Sequence, residues 1–100
     1  VCPDWGAAPA DPAELGPVYS DVPALILSGR YDPVTPPEWG ELAAQSLPNS
    51  TVIEFPHLSH GSLTMDVCAD TIAARFLEDP EEDPRDGCLD GLAPPAFLLP

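Results

Sequence analysis

The run Val22 to Ser28 (VPALILS), stopped by Gly29, constrains this chain more than any other feature. It shows no polar alternation, so it reads as a strand buried on both faces, the pattern of a parallel sheet. Pro23 is acceptable near its start, where a missing N–H need not enter the ladder. A parallel neighbour requires a crossover connection, usually a helix. Thr35-Pro36-Pro37-Glu38 has the form of a helix start. Thr35 would be the N-cap, Pro36 would take the first helical position, and Glu38 would complete a capping box. The helix is expected to run to about Leu47, with Trp39, Leu42, Ala43 and Leu47 on one face, and to stop at Pro48-Asn49. TVIEF, 51–55, reads as the second strand, ended by Pro56. The loop PHLSHGS follows, and then MDVCADTIAARFLED carries Val67, Ile72, Ala73, Phe76 and Leu77 at helical spacing. This order indicates α/β architecture with a right-handed parallel crossover. Two strands cannot by themselves cover both faces and both edges of a parallel sheet, so the pattern asks for more sheet than it contains.

The flanks support that reading. Residues 1–21 are Pro- and Ala-rich without periodicity and are expected to form an extended arm. Residues 22–78 form the α/β segment. In 79–100, the stretch EDPEEDPRDG is expected to be a solvated acidic loop, followed by a short apolar, proline-rich tail packed as an extended segment. The first residues have neither the basic start nor the apolar centre of a signal peptide, and the chain reads as a piece of something longer. No apolar run approaches the ~18 residues of a membrane span.

Charge narrows the partners. Seventeen acids face three arginines and no lysine, a formal net charge of −14. Such a field repels phosphate backbones and anionic lipid, so neither nucleic acid nor a membrane surface is expected as a partner. The surplus fits the solubility of a protein working outside the cell. The three cysteines, Cys2, Cys68 and Cys88, form no C-x-x-C pair and give no zinc signal. Cys68, in the expected second helix, and Cys88, in the loop beyond it, could pair, and closing that loop would contribute roughly 3 kcal/mol. Cys2 would then be left for a partner outside the chain. Together these favour an oxidising compartment over three free thiols.

In open α/β sheets the working residues sit just beyond the carboxyl ends of the strands. Asp32 lies there after the first strand, and His57 and His60 after the second. On parallel neighbouring strands Asp32 and the His loop would meet at one edge, where an aspartate can fix an imidazole tautomer and stabilise its charged form. Local rules offer plainer roles: Asp32 before Pro33 is a turn opener, and His60 before Gly61 can cap a turn. His57 and His60 are three apart in a loop with no evident third ligand, so no metal site is expected. The acidic run from Asp79 has Pro84 where an EF-hand loop needs glycine, which removes calcium from consideration. No cofactor is expected.

VPALILSGRYDPVTPPEWG, followed 28 positions after Asp32 by the histidine of LSHGS, resembles the C-terminal part of α/β-hydrolases. The closest likeness is to the TAP-like (tripeptidyl-aminopeptidase-like) C-terminal domain of secreted serine peptidases related to proline iminopeptidases. The opening CPDW and the later C…IAARFLEDP…C resemble that family as well, so the likeness covers nearly the whole chain. It implies the C-terminal portion of an α/β-hydrolase fold: two parallel strands, two helices and an incomplete sheet. By position, Asp32 matches the triad acid and His60 the catalytic base, while His57 has no role in the family pattern. The triad order of such enzymes is Ser, then Asp, then His, so the nucleophile is expected upstream. The chain has no G-x-S-x-G. Its serines are Ser20, Ser28, Ser46, Ser50, Ser59 and Ser62, and Ser62, two residues past His60, suits a cap or turn. The implied partners are the upstream part of the same hydrolase and a peptide or ester substrate. The rival readings are a non-catalytic binding or assembly module and the C-terminal part of an esterase.

Overall fold

The computed structural model describes residues 3–6 and 8–97. Cys2 and the end of the apolar tail lie outside the described residues.

Strand β1 spans Ala24–Gly29 and strand β2 spans Ser50–Phe55. They pair in parallel, with Ala24 opposite Ser50 and Gly29 opposite Phe55. Among the described residues the sheet has these two strands alone. Because side chains alternate along a strand, the sheet presents two distinct faces. Leu25 and Leu27 join Ile53 and Phe55 on one face, where helix α2 (Val67–Glu78) brings Cys68, Ala69 and Ile72. Phe55 and Ile72 are fully buried there, and each contributes about 1.5–3 kcal/mol of hydrophobic stabilisation. Helix α1 (Pro37–Ala44) lies over the other face. Its contact is close: a Cβ on Gly40 would lie 2.9 Å from Ile26 Cγ2 and from Ser28 Oγ. Only a residue without a side chain lets the helix backbone rest so directly on β1.

Several expectations are corrected by the packing. The first strand begins two residues later than expected and includes Gly29; only Ser28 and Gly29 are buried, and Ala24 to Leu27 are half-buried. Thr35 is not the helix N-cap. Pro36 takes that position without a side-chain bond, and Pro37 opens the helix. Regular helix ends at Ala44, and shorter bonds (Gln45 N–H to Leu42 O, Ser46 N–H to Ala43 O, Leu47 N–H to Ala44 O) carry the turn on to Leu47. The expected apolar face of α1 is not a core face: Trp39 and Leu42 are more than half exposed. In α2 the buried stripe is rotated from the expected one. Val67 and Leu77 point outward, Cys68, Ala69 and Ile72 are buried, and Ala73 and Phe76 lie between.

The flanks are more structured than their composition suggests. The N-terminal arm contains two short 3-10 turns, Pro3–Trp5 and Pro12–Leu15, the second capped by Asp11. The arm ties to the connection between α1 and β2 through Ser20 N–H to Ser46 O at 3.2 Å and Asn49 Nδ2 to Asp21 O at 2.6 Å. The acidic loop is largely exposed but buries Pro84, and Arg85 reaches Val52 O on β2. Arg75 pairs with Asp86 across that loop. A last 3-10 turn, Gly87–Gly91, brings Leu89 and Leu92 against the core. Cys88 in this turn is disulfide-bonded to Cys68, with Cα atoms 5.7 Å apart. No helix among the described residues is long and apolar enough to cross a membrane.

Candidate active site

The ends of the two strands are held together by backbone bonds. Arg30 N–H donates to Phe55 O, and Tyr31 N–H donates to Leu58 O, both at 3.0 Å. Ser59 Oγ donates to Tyr31 O at 3.2 Å. Gly29 makes this crossing possible. A Cβ at that position would lie 2.3 Å from Ser59 O and 2.7 Å from Leu58 O, a separation no side chain survives. The sequence marks Gly29 as a strand stop; the structure adds that the histidine loop passes directly over it.

This crossing brings Asp32 and His60 into contact. His60 Nδ1 lies 2.9 Å from Asp32 Oδ2 and 3.1 Å from Oδ1. The carboxylate is nearly buried, with 5% of its side chain exposed, whereas the His60 side chain is 56% exposed. Asp32 also performs the turn role that local rules suggest. Its Oδ1 accepts from Val34 N–H at 2.8 Å and Thr35 N–H at 2.9 Å, and its Oδ2 accepts from the Thr35 hydroxyl at 2.7 Å. The two readings of Asp32 are therefore compatible: the turn bonds fix the carboxylate that meets the histidine. Burial pushes the carboxyl toward neutrality, but the bonds from Thr35, Val34 and His60 outweigh it and hold Asp32 well below the usual carboxylate range.

The protonation pattern follows. An ionised carboxylate only accepts hydrogen bonds, so the proton on the facing His60 nitrogen sits on Nδ1. In the neutral ring Nε2 then carries a lone pair, and no described residue hydrogen-bonds it. Such a ring can take a proton from an outside group through Nε2 while the aspartate stabilises the imidazolium that forms. Thr35 Oγ1, 3.3 Å from His60 Nδ1, closes the arrangement from the side. Gly61, next to His60, has φ +82°, a left-handed turn that glycine adopts freely. Ser62 is buried.

His57 stands apart from this pair. Its Nε2 lies 2.9 Å from Asp66 Oδ2, and the ring meets Phe55 edge-on at 6.5 Å. Asp66 Oδ1 meanwhile accepts from Cys68 N–H and Ala69 N–H, capping α2. Burial raises the Asp66 carboxyl, but the bonds from His57, Ala69 and Cys68 leave it below its ordinary value. No three metal-ligating side chains converge among the described residues.

Sequence reasoning missed three of these features. A Thr three residues after an Asp is a spacing that signals a local side-chain bond, and it could have revealed Thr35. An Asp just before an apolar helical run could have marked Asp66 as a cap. Nothing local signals that His57 reaches Asp66.

Two parallel strands flanked by helices, with an acid after the first strand bonded to a histidine after the second, match part of an α/β-hydrolase fold. More particularly, a family model described as TAP-like protein matches residues 1–88, and the chain belongs to that family. The membership supports a hydrolase-type role. No curated protein and no solved structure matches the chain.

Proposed function

We propose that this chain supplies the Asp and His of a Ser-His-Asp triad in a secreted serine hydrolase, a tripeptidyl-aminopeptidase-like exopeptidase. The upstream part of the same protein would contribute the serine and the oxyanion hole. His60 would take the serine proton through Nε2 and return it to the leaving group, and Asp32 would hold the imidazole with its proton on Nδ1. The observation that carries the reading is the 2.9 Å bond between His60 Nδ1 and a carboxylate fixed by three further donors. The Cys68–Cys88 disulfide supports an oxidising compartment and hence secretion.

In the full-length protein, His60→Ala is expected to lower kcat by about 10⁴-fold or more. A His60→Ala enzyme that kept most of its activity would overturn the assignment. The 100 residues alone are expected to turn over neither an aminoacyl nor a simple ester reporter, and turnover blocked by a serine-directed inhibitor would contradict that. With the full-length protein, preference for the aminoacyl reporter separates a peptidase from an esterase.

One observation favours the second reading, a binding or assembly module. Leu15, Val18, Tyr19, Trp39 and Leu42 line an open apolar trough of about 690 Å³. Exposed apolar surface of this kind marks contact with another polypeptide. A full-length protein that binds a partner but shows no serine-dependent turnover would favour that reading.

A further inference from the structure

The loop from His57 to Asp66 holds His60 between two ends that bond to each other. At its start, the His57 ring lies against fully buried Phe55 and bonds through Nε2 to Asp66 Oδ2 at 2.9 Å. At its end, Asp66 shares its carboxylate between that ring and the first turn of α2. The helix turn is in turn anchored by the Cys68–Cys88 disulfide. Between the two ends the chain passes through two left-handed residues, Gly61 and Thr64. A β-branched residue adopts that conformation only when its surroundings impose it. Thr64 is held there by its N–H bond to Asp70 Oδ1 at 2.8 Å.

His57 is badly placed to act as a second base. Nε2 is engaged by Asp66, and Nδ1 is buried with no hydrogen-bond partner among the described residues. Neither nitrogen is free to exchange a proton with a bound molecule. A buried nitrogen without a partner is less costly as a bare lone pair than as an unsatisfied N–H. The ring therefore carries its proton on Nε2 and donates it to Asp66. This assignment suits a fastener and not a proton carrier.

We infer that His57 and Asp66 are positioning residues: they close the base of the 57–66 loop and so set where the His60 imidazole meets Asp32. The inference rests on the reading of His60 as the general base. The near side of the loop is fixed by Tyr31 and Ser59. The far side, from His60 onward, depends on the bonds at Asp66 and Thr64. Small displacements of a catalytic group are expensive, since about 1 Å can cost roughly 10²-fold in rate.

The substitutions separate donor, ring and cap. His57→Phe keeps a ring beside Phe55 and removes the donor. His57→Gln can place an amide N–H near the position of Nε2. Asp66→Asn can still accept from Cys68 and Ala69 N–H, but it turns an NH₂ toward the Nε2–H of His57. In the full-length protein, His57→Phe and Asp66→Asn are expected to lower kcat roughly ten- to a hundredfold with KM nearly unchanged. Both should also broaden or remove the low-field His60 Nδ1–H resonance in ¹⁵N-edited NMR. His57→Gln should restore both properties to within about threefold of wild type.

A folded His57→Phe protein with wild-type kcat and an intact His60 signal would overturn the proposal, as would a His57→Gln protein no better than His57→Phe. Should His57→Phe fail to fold, Asp66→Asn decides, and wild-type behaviour there is equally fatal. The NMR signal reports the position of His60 without turnover. A His60→Ala enzyme that retained activity would therefore sink the triad reading, while the Asp66→Asn and His57→Gln spectra would still test the fastening of the loop.

Discussion

The two histidines of one loop, His57 and His60, each meet an aspartate at 2.9 Å, with opposite consequences. Asp32 meets Nδ1 of a ring that is 56% exposed, whereas Asp66 meets Nε2 of a ring that is 26% exposed. In the first pair the free nitrogen is the outward one, available to a substrate or a nucleophile. In the second it is buried without a partner among the described residues. The acids differ in parallel. Asp32 is surrounded by donors from its own turn, and Asp66 divides itself between a ring and a helix end. Whether the nitrogen facing away from the carboxylate is exposed or buried decides whether the imidazole can reach an outside group.

The contrast breaks most visibly under the same substitution at both acids. In the full-length protein, Asp32→Asn is expected to lower kcat about 10⁴-fold through the wrong tautomer, and Asp66→Asn by no more than about a hundredfold. Equal losses would erase the distinction. Removing both Cys68 and Cys88 sulfurs by substitution with serine should cost about 2–4 kcal/mol of unfolding free energy, read by denaturant titration. Because Cys68 donates its N–H to Asp66, that loss should disturb the His57 resonances more than those of His60. At Thr35, valine removes the hydroxyl that donates to Asp32 Oδ2, and kcat is expected to fall roughly tenfold, with serine restoring it. The smallest effect is on acid stability. Both acids have folded values below the ordinary 3.8, so their contribution is complete above about pH 4 and is lost as pH falls through the lowered values. Asp32→Asn should flatten its share of that acid-side decline in melting temperature.

The strands, their parallel pairing and the approach of Asp32 to the histidine loop were legible from pattern within each segment, while the choice of His60 over His57 came from the family resemblance. An unbroken apolar run, a glycine and a residue just past the strand end suffice to bring the two loops to one edge. Thr35 was misread because its neighbours, Pro36 and Glu38, imitate a capping box, while the carboxylate three residues upstream competes for its hydroxyl and wins. Trp39 and Leu42 were placed on one face of the helix by spacing, and that face is largely exposed. Spacing identifies an apolar stripe but not what covers it, and Gly40 rather than either side chain meets β1. The His57–Asp66 bond was invisible because it spans nine residues of loop with no period to follow. Pro84 was placed in solvent on charge alone, although it is buried.

Gly29 sets a limit on how this sequence can drift. The positions around it, Arg30 and Tyr31 among them, are exposed and have room to vary. At 29 even one added methyl group would occupy the space of the Leu58 and Ser59 backbone. A saturation library at that codon, selected for activity in the full-length protein, should return glycine alone. A position that contributes no chemistry at all, only room, is thus among the least substitutable near the candidate active site.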